Sequence, residues 1–159
     1  MVVFQFKIMI QEDKKLLLKD LLARLPYGVK CNALLKQIDG SLKSTFGTFK
    51  GYNNGYATVG QNLVDIETVR PYLRPVSSMT EEEIVEINSM GFAYWTTMIN
   101  NDLRTRGPMS LLDAIITHHK MVKLIDWLNE HHFDYRGLIE KGLATEVTEE
   151  NDPYSPYKK

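Results

Sequence analysis

Three side chains in the stretch Arg70-Pro71-Tyr72-Leu73-Arg74 have the types and the spacing to hold a ligand. Pro71 and Pro75 exclude a helix and keep the backbone extended. Side chains of an extended chain alternate, so Arg70, Tyr72 and Arg74 are expected to project together, with Pro71, Leu73 and Pro75 facing the other way. Two guanidinium forks beside an aromatic ring suit phosphate groups and a stacked base. The competing reading packs Tyr72 over the end of a small barrel and pairs the arginines with Glu81, Glu82 or other surface acids. Tyr135 and Arg136 offer a second half of the same ligand site, against a plainer role for Asp134 as a helix cap beside a packed tyrosine.

Other residues that could do chemistry form no pattern. His118-His119 and His131-His132 invite a metal reading, but adjacent histidines on a helix point apart and the two pairs fall several turns from each other. No HExxH and no cysteine pair accompanies them, so no metal ligands are assigned, and cap, edge or surface positions are expected. The chain has no GxSxG, no phosphate-binding loop and no GxGxxG. Asp65, Glu67, Asp113 and Asp126 form no carboxylate motif. No catalytic residue and no cofactor is assigned, although an active site assembled in space need leave no local motif. Cys31 is the only cysteine, which excludes an intrachain disulfide and suits a reducing compartment. It lies in an apolar run, where burial blunts a thiol.

The elements that must position these groups divide into two halves. Asp13 is the expected cap of a first helix whose face carries Leu17, Leu18, Leu21, Leu22 and Leu25, and Pro26 and Gly28 end it. Ahead of it, Phe4, Phe6, Ile8 and Ile10 alternate as in a strand. From Val29 to Ile66 an antiparallel meander is expected, with a two-residue hairpin at Asp39-Gly40 and tight turns at Asn53-Asn54-Gly55 and Gly60-Gln61-Asn62. Leu42, Phe46, Phe49, Tyr52, Tyr56 and Val59 suit a half-buried sheet. A small SH3-like or Sm-like barrel is one way to close such a meander.

After the extended stretch, Thr80 and Glu83 form a capping box with Met79 and Ile84 as its hydrophobic staple, and Glu81, Glu82 and Glu83 fill the first turn. Arg104 to Pro108 reads as a linker after the apolar segment that begins at Phe92. A long helix opening near Ser110 is expected to break at His118-His119, and Asp134 to cap a last short helix closed by Gly142. The fold class is therefore α+β: an N-terminal helix, a small antiparallel barrel or meander, then C-terminal helices. One domain is expected over 1–145, β-rich over about 26–76 and helical over about 80–145, with a mobile tail over 146–159.

At 159 residues, 43% hydrophobic, 25% charged and a net charge of −1, the composition is that of an ordinary globular domain with no general attraction for nucleic acid or anionic membrane. No run reaches the length of a membrane span, and the start lacks the features of a signal peptide, so a cytoplasmic setting is expected.

The blocks ARLPYGVKC (Ala23–Cys31), RPYLRPVSSMTEEE (Arg70–Glu83) and DWLNEHHFDYRGLIEKGLA (Asp126–Ala144) resemble, in the same order, three blocks of a family of small uncharacterised proteins of gut bacteria and their phages. They leave the first strand, the meander and the Phe92–Met109 segment uncovered. The family brings no assigned activity, so the resemblance implies no catalytic residue. It implies a phage or mobile-element setting, where small single-domain proteins bind host machinery or sequester host signals. The expected function is that of a non-enzymatic binding protein in the host cytosol that inhibits or sequesters a host component, either a protein or a nucleotide-type ligand. The alternatives are a single-stranded nucleic-acid-binding module and a hydrolase with no recognisable motif. Steep loss of affinity with salt separates the nucleic-acid reading from the first.

Overall fold

The computed structural model describes residues 9–92 and 111–155. Helix α1 (Gln11–Ala23) starts directly after Ile10 with no side-chain cap; Asp13, expected as the cap, lies with Glu12 inside the first turn, where the helix dipole favours both. Leu17 and Leu21 are fully buried, whereas Leu22 and Leu25 are exposed, so the core-facing stripe is narrower than the leucine spacing suggests. Pro26 in a 3-10 turn and Gly28, at φ 67° in the left-handed region, end the helix and turn the chain into the sheet. The strand expected ahead of α1 lies outside the described residues as far as Ile8, and Met9 and Ile10 belong to no strand.

β1 (Lys30–Lys36) and β2 (Leu42–Asn53) pair as an antiparallel hairpin from Lys30 opposite Thr48 to Lys36 opposite Leu42. Asp39-Gly40 lies in its loop, but the loop runs from Gln37 to Ser41 and is wider than two residues. The Asp39 carboxylate organises it by accepting from the Ser41 N–H and hydroxyl at 2.9 and 2.6 Å. Asn54-Gly55 does form a two-residue turn, with φ of 47° and 91°, leading into β3 (Tyr56–Val59). Gly60-Gln61 then leads into β4 (Asn62–Asp65).

β2 serves two partners in succession. Its first part pairs with β1 and its second with β3, with a bulge between Phe49 and Gly51. Gly47 lets the first part of β2 lie against the turn between β3 and β4, since a Cβ there would stand 2.7 Å from both the Cα and the nitrogen of Gly60. β5 (Arg70–Leu73) pairs antiparallel with β1, and the two-residue β6 (Thr145–Glu146) pairs parallel with β5. The order is β4-β3-β2-β1-β5-β6. The sheet is open, and the closed barrel expected from the meander is not formed. Closure would bring β4 to the far side of β5, but β6 occupies that side and the Arg74–Phe133 bridge extends it.

Helix α2 (Glu81–Ile87) carries the expected capping box: Thr80 Oγ1 accepts from the Glu83 N–H at 3.2 Å and Glu83 Oε2 accepts from the Thr80 N–H at 2.9 Å. Helix α3 (Leu111–Glu130) runs unbroken through His118-His119, against the expected break. Its expected start at Ser110, the linker at Arg104–Pro108 and all of the apolar segment after Phe92 lie outside the described residues. Asp134 acts as a cap on a run of turns rather than on a helix, accepting from the N–H groups of Leu138 and Ile139 at 2.9 and 2.8 Å. The expected tail is packed as far as it is described: Val147 N–H donates to Leu73 O at 2.8 Å, and the Tyr154 hydroxyl donates to Tyr72 O at 2.9 Å.

Two apolar clusters form the core. One joins Leu17 and Leu21 of α1 to the inner face of the sheet; the other joins Ile87 of α2 to Leu124, Trp127 and Leu128 of α3 and to Phe133. Arg24 links them. Its guanidinium is fully buried, holds the Asp20 carboxylate through Nε and Nη2 at 2.7 and 3.0 Å, and donates from Nη2 to Phe133 O at 2.7 Å. Cys31 is buried in the first cluster, and desolvation pushes its thiol pKa far up, leaving it protonated and poorly nucleophilic.

Candidate functional site

The five expected ligand residues separate into three places. On β5, Arg70 and Tyr72 share the outer face while Pro71 and Leu73 are buried, as strand alternation requires. Arg74 lies past the end of the strand, where its N–H donates to His132 O and its carbonyl accepts from the Asp134 N–H, both at 2.8 Å. Its fork closes on Glu83, Nη1 to Oε1 at 2.6 Å and Nη2 to Oε2 at 2.9 Å, and its guanidinium carbon sits 4.2 Å above the Phe133 ring. Glu83 thus caps α2 and ties it to the strand end. Burial would raise its pKa, but the Arg74 fork and the Thr80 N–H outweigh burial and hold it below the usual carboxylate value.

Tyr135 and Arg136 lie beside the buried Asp20 and not beside Tyr72. The Tyr135 hydroxyl donates to Asn129 Oδ1 at 3.0 Å and accepts from Arg136 Nη2 at 2.9 Å. Arg136 Nε stands 3.3 Å from Asp20 Oδ1, and both Arg24 and Arg136 lie over the Tyr135 ring, at 5.5 and 4.8 Å. The single platform expected from the sequence is therefore not assembled.

Arg70 and Tyr72 do have neighbours of a suitable kind. Strand register places Asn32 opposite Phe46 on one side and opposite Arg70 on the other. The Asn32 amide donates to the Tyr72 hydroxyl at 2.8 Å, and the Phe46 and Tyr72 rings meet edge to face at 5.8 Å. Phe46 is 53% exposed, an aromatic ring presented on an open sheet face. Lys30 belongs to the same face of β1 and is held by Thr48, Nζ to Oγ1 at 2.7 Å. Arg70 is held by its own backbone, Nη1 donating to Glu67 O and Val69 O at 2.8 Å each. Burial lowers the Arg70 pKa and raises that of Tyr72, so the phenol stays protonated as an oriented donor and acceptor. The face therefore offers an exposed ring for stacking, a fixed amide and two cations.

Asn32 and Lys30 carry no motif, and Phe46 reads in the sequence as one sheet aromatic among several. Only strand register, which the sequence does not print, sets them beside Tyr72. The histidines depart from expectation in one respect. His131 caps as expected, its Nδ1 2.9 Å from Trp127 O and its ring stacked on Trp127 at 3.9 Å. His132 is buried, sits at φ 59° and stacks on Tyr154 at 3.9 Å. Among the described residues no group of three His, Cys, Asp or Glu is placed to hold a metal ion, and no helix is long and apolar enough to cross a membrane. Compared with family models, curated proteins and solved structures, the chain matches none.

Proposed function

We propose that this is a non-enzymatic binding protein that sequesters a nucleotide-type ligand on the outer face of its sheet. The observation that supports this reading is the half-exposed Phe46 ring set edge-on to Tyr72, with Asn32 between them and Lys30 and Arg70 on the same face. A base stacked on Phe46 contributes about 1–3 kcal/mol, and each charge-assisted contact to phosphate about 1.5–3 kcal/mol. One ring and two cations thus reach roughly micromolar affinity when preorganised, and Thr48, the Glu67 and Val69 carbonyls and Asn32 supply that preorganisation. The phage or mobile-element setting implied by the three sequence blocks gives sequestration of a host signal a use. Leu42, exposed farther along β2, favours a second reading in which the same face receives a host protein.

The test is calorimetric titration of wild type and Phe46→Ala with mononucleotides, cyclic dinucleotides and oligothymidylate. Saturable heat with a nucleotide that is lost in Phe46→Ala supports the reading. Binding confined to the oligonucleotide and falling steeply with salt moves the function to single-stranded nucleic acid. No heat with any of them overturns the nucleotide ligand and leaves the protein partner.

A further inference from the structure

β1 and β5 pair at only two positions, Asn32 with Arg70 and Cys31 with Pro71. Extended by one residue, the same register sets Lys30 opposite Tyr72, where a continued antiparallel ladder would join the Lys30 N–H to the Tyr72 carbonyl. The Tyr154 hydroxyl stands between them instead, accepting from the Lys30 N–H at 3.1 Å and donating to Tyr72 O at 2.9 Å. A hydroxyl fills both roles at once because it carries a donor and free lone pairs. Burial raises the Tyr154 phenol pKa, which keeps that donor in place.

The strap that delivers this hydroxyl follows β6. Val147 N–H donates to Leu73 O at 2.8 Å, so the carbonyls of Tyr72 and Leu73 are both taken by residues 147–155. Asn151 folds the strap back, its side chain accepting from the Thr148 N–H at 2.7 Å and donating to Glu146 O at 2.9 Å. The Asp152 carboxylate accepts from the Tyr154 N–H at 2.8 Å, and the Tyr154 ring is stacked on His132 at 3.9 Å, so the hydroxyl is aimed from a fixed ring. Both residues that it spans belong to the outer face. Lys30 reaches Thr48 there, and Tyr72 holds the Asn32 amide at 2.8 Å and meets the Phe46 ring at 5.8 Å.

We propose that Tyr154 is a positioning residue for the outer face: through its hydroxyl the strap sets the spacing of Lys30 and Tyr72 and thereby the affinity for the ligand, an inference that rests on the sheet-face reading above. Without the hydroxyl, the Lys30 N–H and the Tyr72 carbonyl either close on each other or stand unpaired. Either outcome moves the Tyr72 ring relative to Asn32 and Phe46, although no atom of the outer face is removed. Release of the strap has the same effect. Ligand and strap are then coupled, and the ligand holds the strap by the factor through which the strap raises affinity.

The variant is Tyr154→Phe in the full chain, which keeps the stacked ring and loses only the hydroxyl. The probes are adenosine 5′-monophosphate and cyclic di-adenosine monophosphate, titrated calorimetrically into the folded protein. Affinity is expected to fall about tenfold, the effect of one hydrogen bond, and the Phe46 ring resonances of the ligand-free variant should be displaced in NMR spectra. A second measurement needs no variant. In wild type saturated with the tighter probe, hydrogen exchange of the Val147 amide, which ties the strap to Leu73 O, should slow by a similar factor. The inference is overturned if Tyr154→Phe binds as wild type does, if its Phe46 resonances stay in place, or if saturation leaves Val147 exchange unchanged. Absence of binding to wild type by either probe overturns the sheet-face reading and this inference with it, whereas equal binding by wild type and Tyr154→Phe overturns this inference alone.

Discussion

Replacing Asp20 with Asn should destabilise the protein severely although it removes no atom from the packing. The Asp20 carboxylate is fully buried, accepts from Arg24 Nε and Nη2 at 2.7 and 3.0 Å, and has Arg136 Nε 3.3 Å from Oδ1. Asn keeps the shape but removes the charge and turns a donor toward a guanidinium. Arg24 then remains buried with one contact to a carbonyl, Phe133 O at 2.7 Å. Removing one partner of a buried pair costs about 3–5 kcal/mol, because the remaining charge is left without compensation. Arg136 moderates this, since its side chain is 18% exposed and turns to solvent more cheaply, which puts the expected loss near the lower end, about 3 kcal/mol. At about 2–4 °C per kcal/mol for a domain of this size, Tm falls by about 6–12 °C. Urea unfolding followed by circular dichroism measures it. The double replacement Asp20→Leu/Arg24→Met should cost much less than the two single changes added, since it removes the charge and its partner together. A loss below about 1 kcal/mol in Asp20→Asn, the range of an exposed pair, would refute the claim that this pair joins the two clusters under burial.

Gly47→Ala should cost about 1–3 kcal/mol, read as a drop in the urea midpoint, because the new methyl meets Gly60 backbone at 2.7 Å and β2 must part from the β3–β4 turn. Thr80→Ala should cost about 1 kcal/mol by the same assay, and an unchanged midpoint would mean that the Arg74 fork alone positions Glu83. The folded pKa of His132 is depressed to about 3 from 6.5, by burial first and then by the charges of Arg24, His131, Arg74 and Lys30. The unfolded chain therefore binds a proton that the folded one refuses, so stability is complete above the unfolded value and declines as pH falls from 6.5 toward 3. His132→Phe should flatten that part of the pH profile while keeping the stack on Tyr154, and an unaltered slope would contradict the assignment.

What was legible in the sequence is what short spacing determines. The Thr80–Glu83 box, the Asn54-Gly55 turn and the stop at Pro26 and Gly28 each depend on residues within a few positions of one another, and the apolar run around Cys31 pointed to its burial. The α+β division followed from them. What was not legible depends on distant pairings. Asp20 and Arg24 stand one helical turn apart, yet their burial depends on Phe133, which is 109 residues from Arg24. Alternation on β5 correctly put Arg70 with Tyr72, but it could not show that the strand ends at Leu73 and that Arg74 turns to Glu83. The open sheet likewise follows from β6, a two-residue strand with no periodicity to read. The polar composition of the last residues gave no sign that Tyr154 stacks on His132 and accepts from the Lys30 N–H at 3.1 Å.

The central claim, that the outer face around Phe46 and Tyr72 binds a nucleotide-type ligand, is tested most directly by NMR mapping with labelled phenylalanine, tyrosine and backbone amides. Titration with the nucleotide that gives the most calorimetric heat should shift the Phe46 and Tyr72 ring resonances and the Asn32, Lys30 and Arg70 amides together, with one saturation curve. Arg74, Tyr135 and Arg136 should stay still. Shifts centred on those three residues with a silent Phe46 ring, or no saturable shift on the face at all, would contradict it.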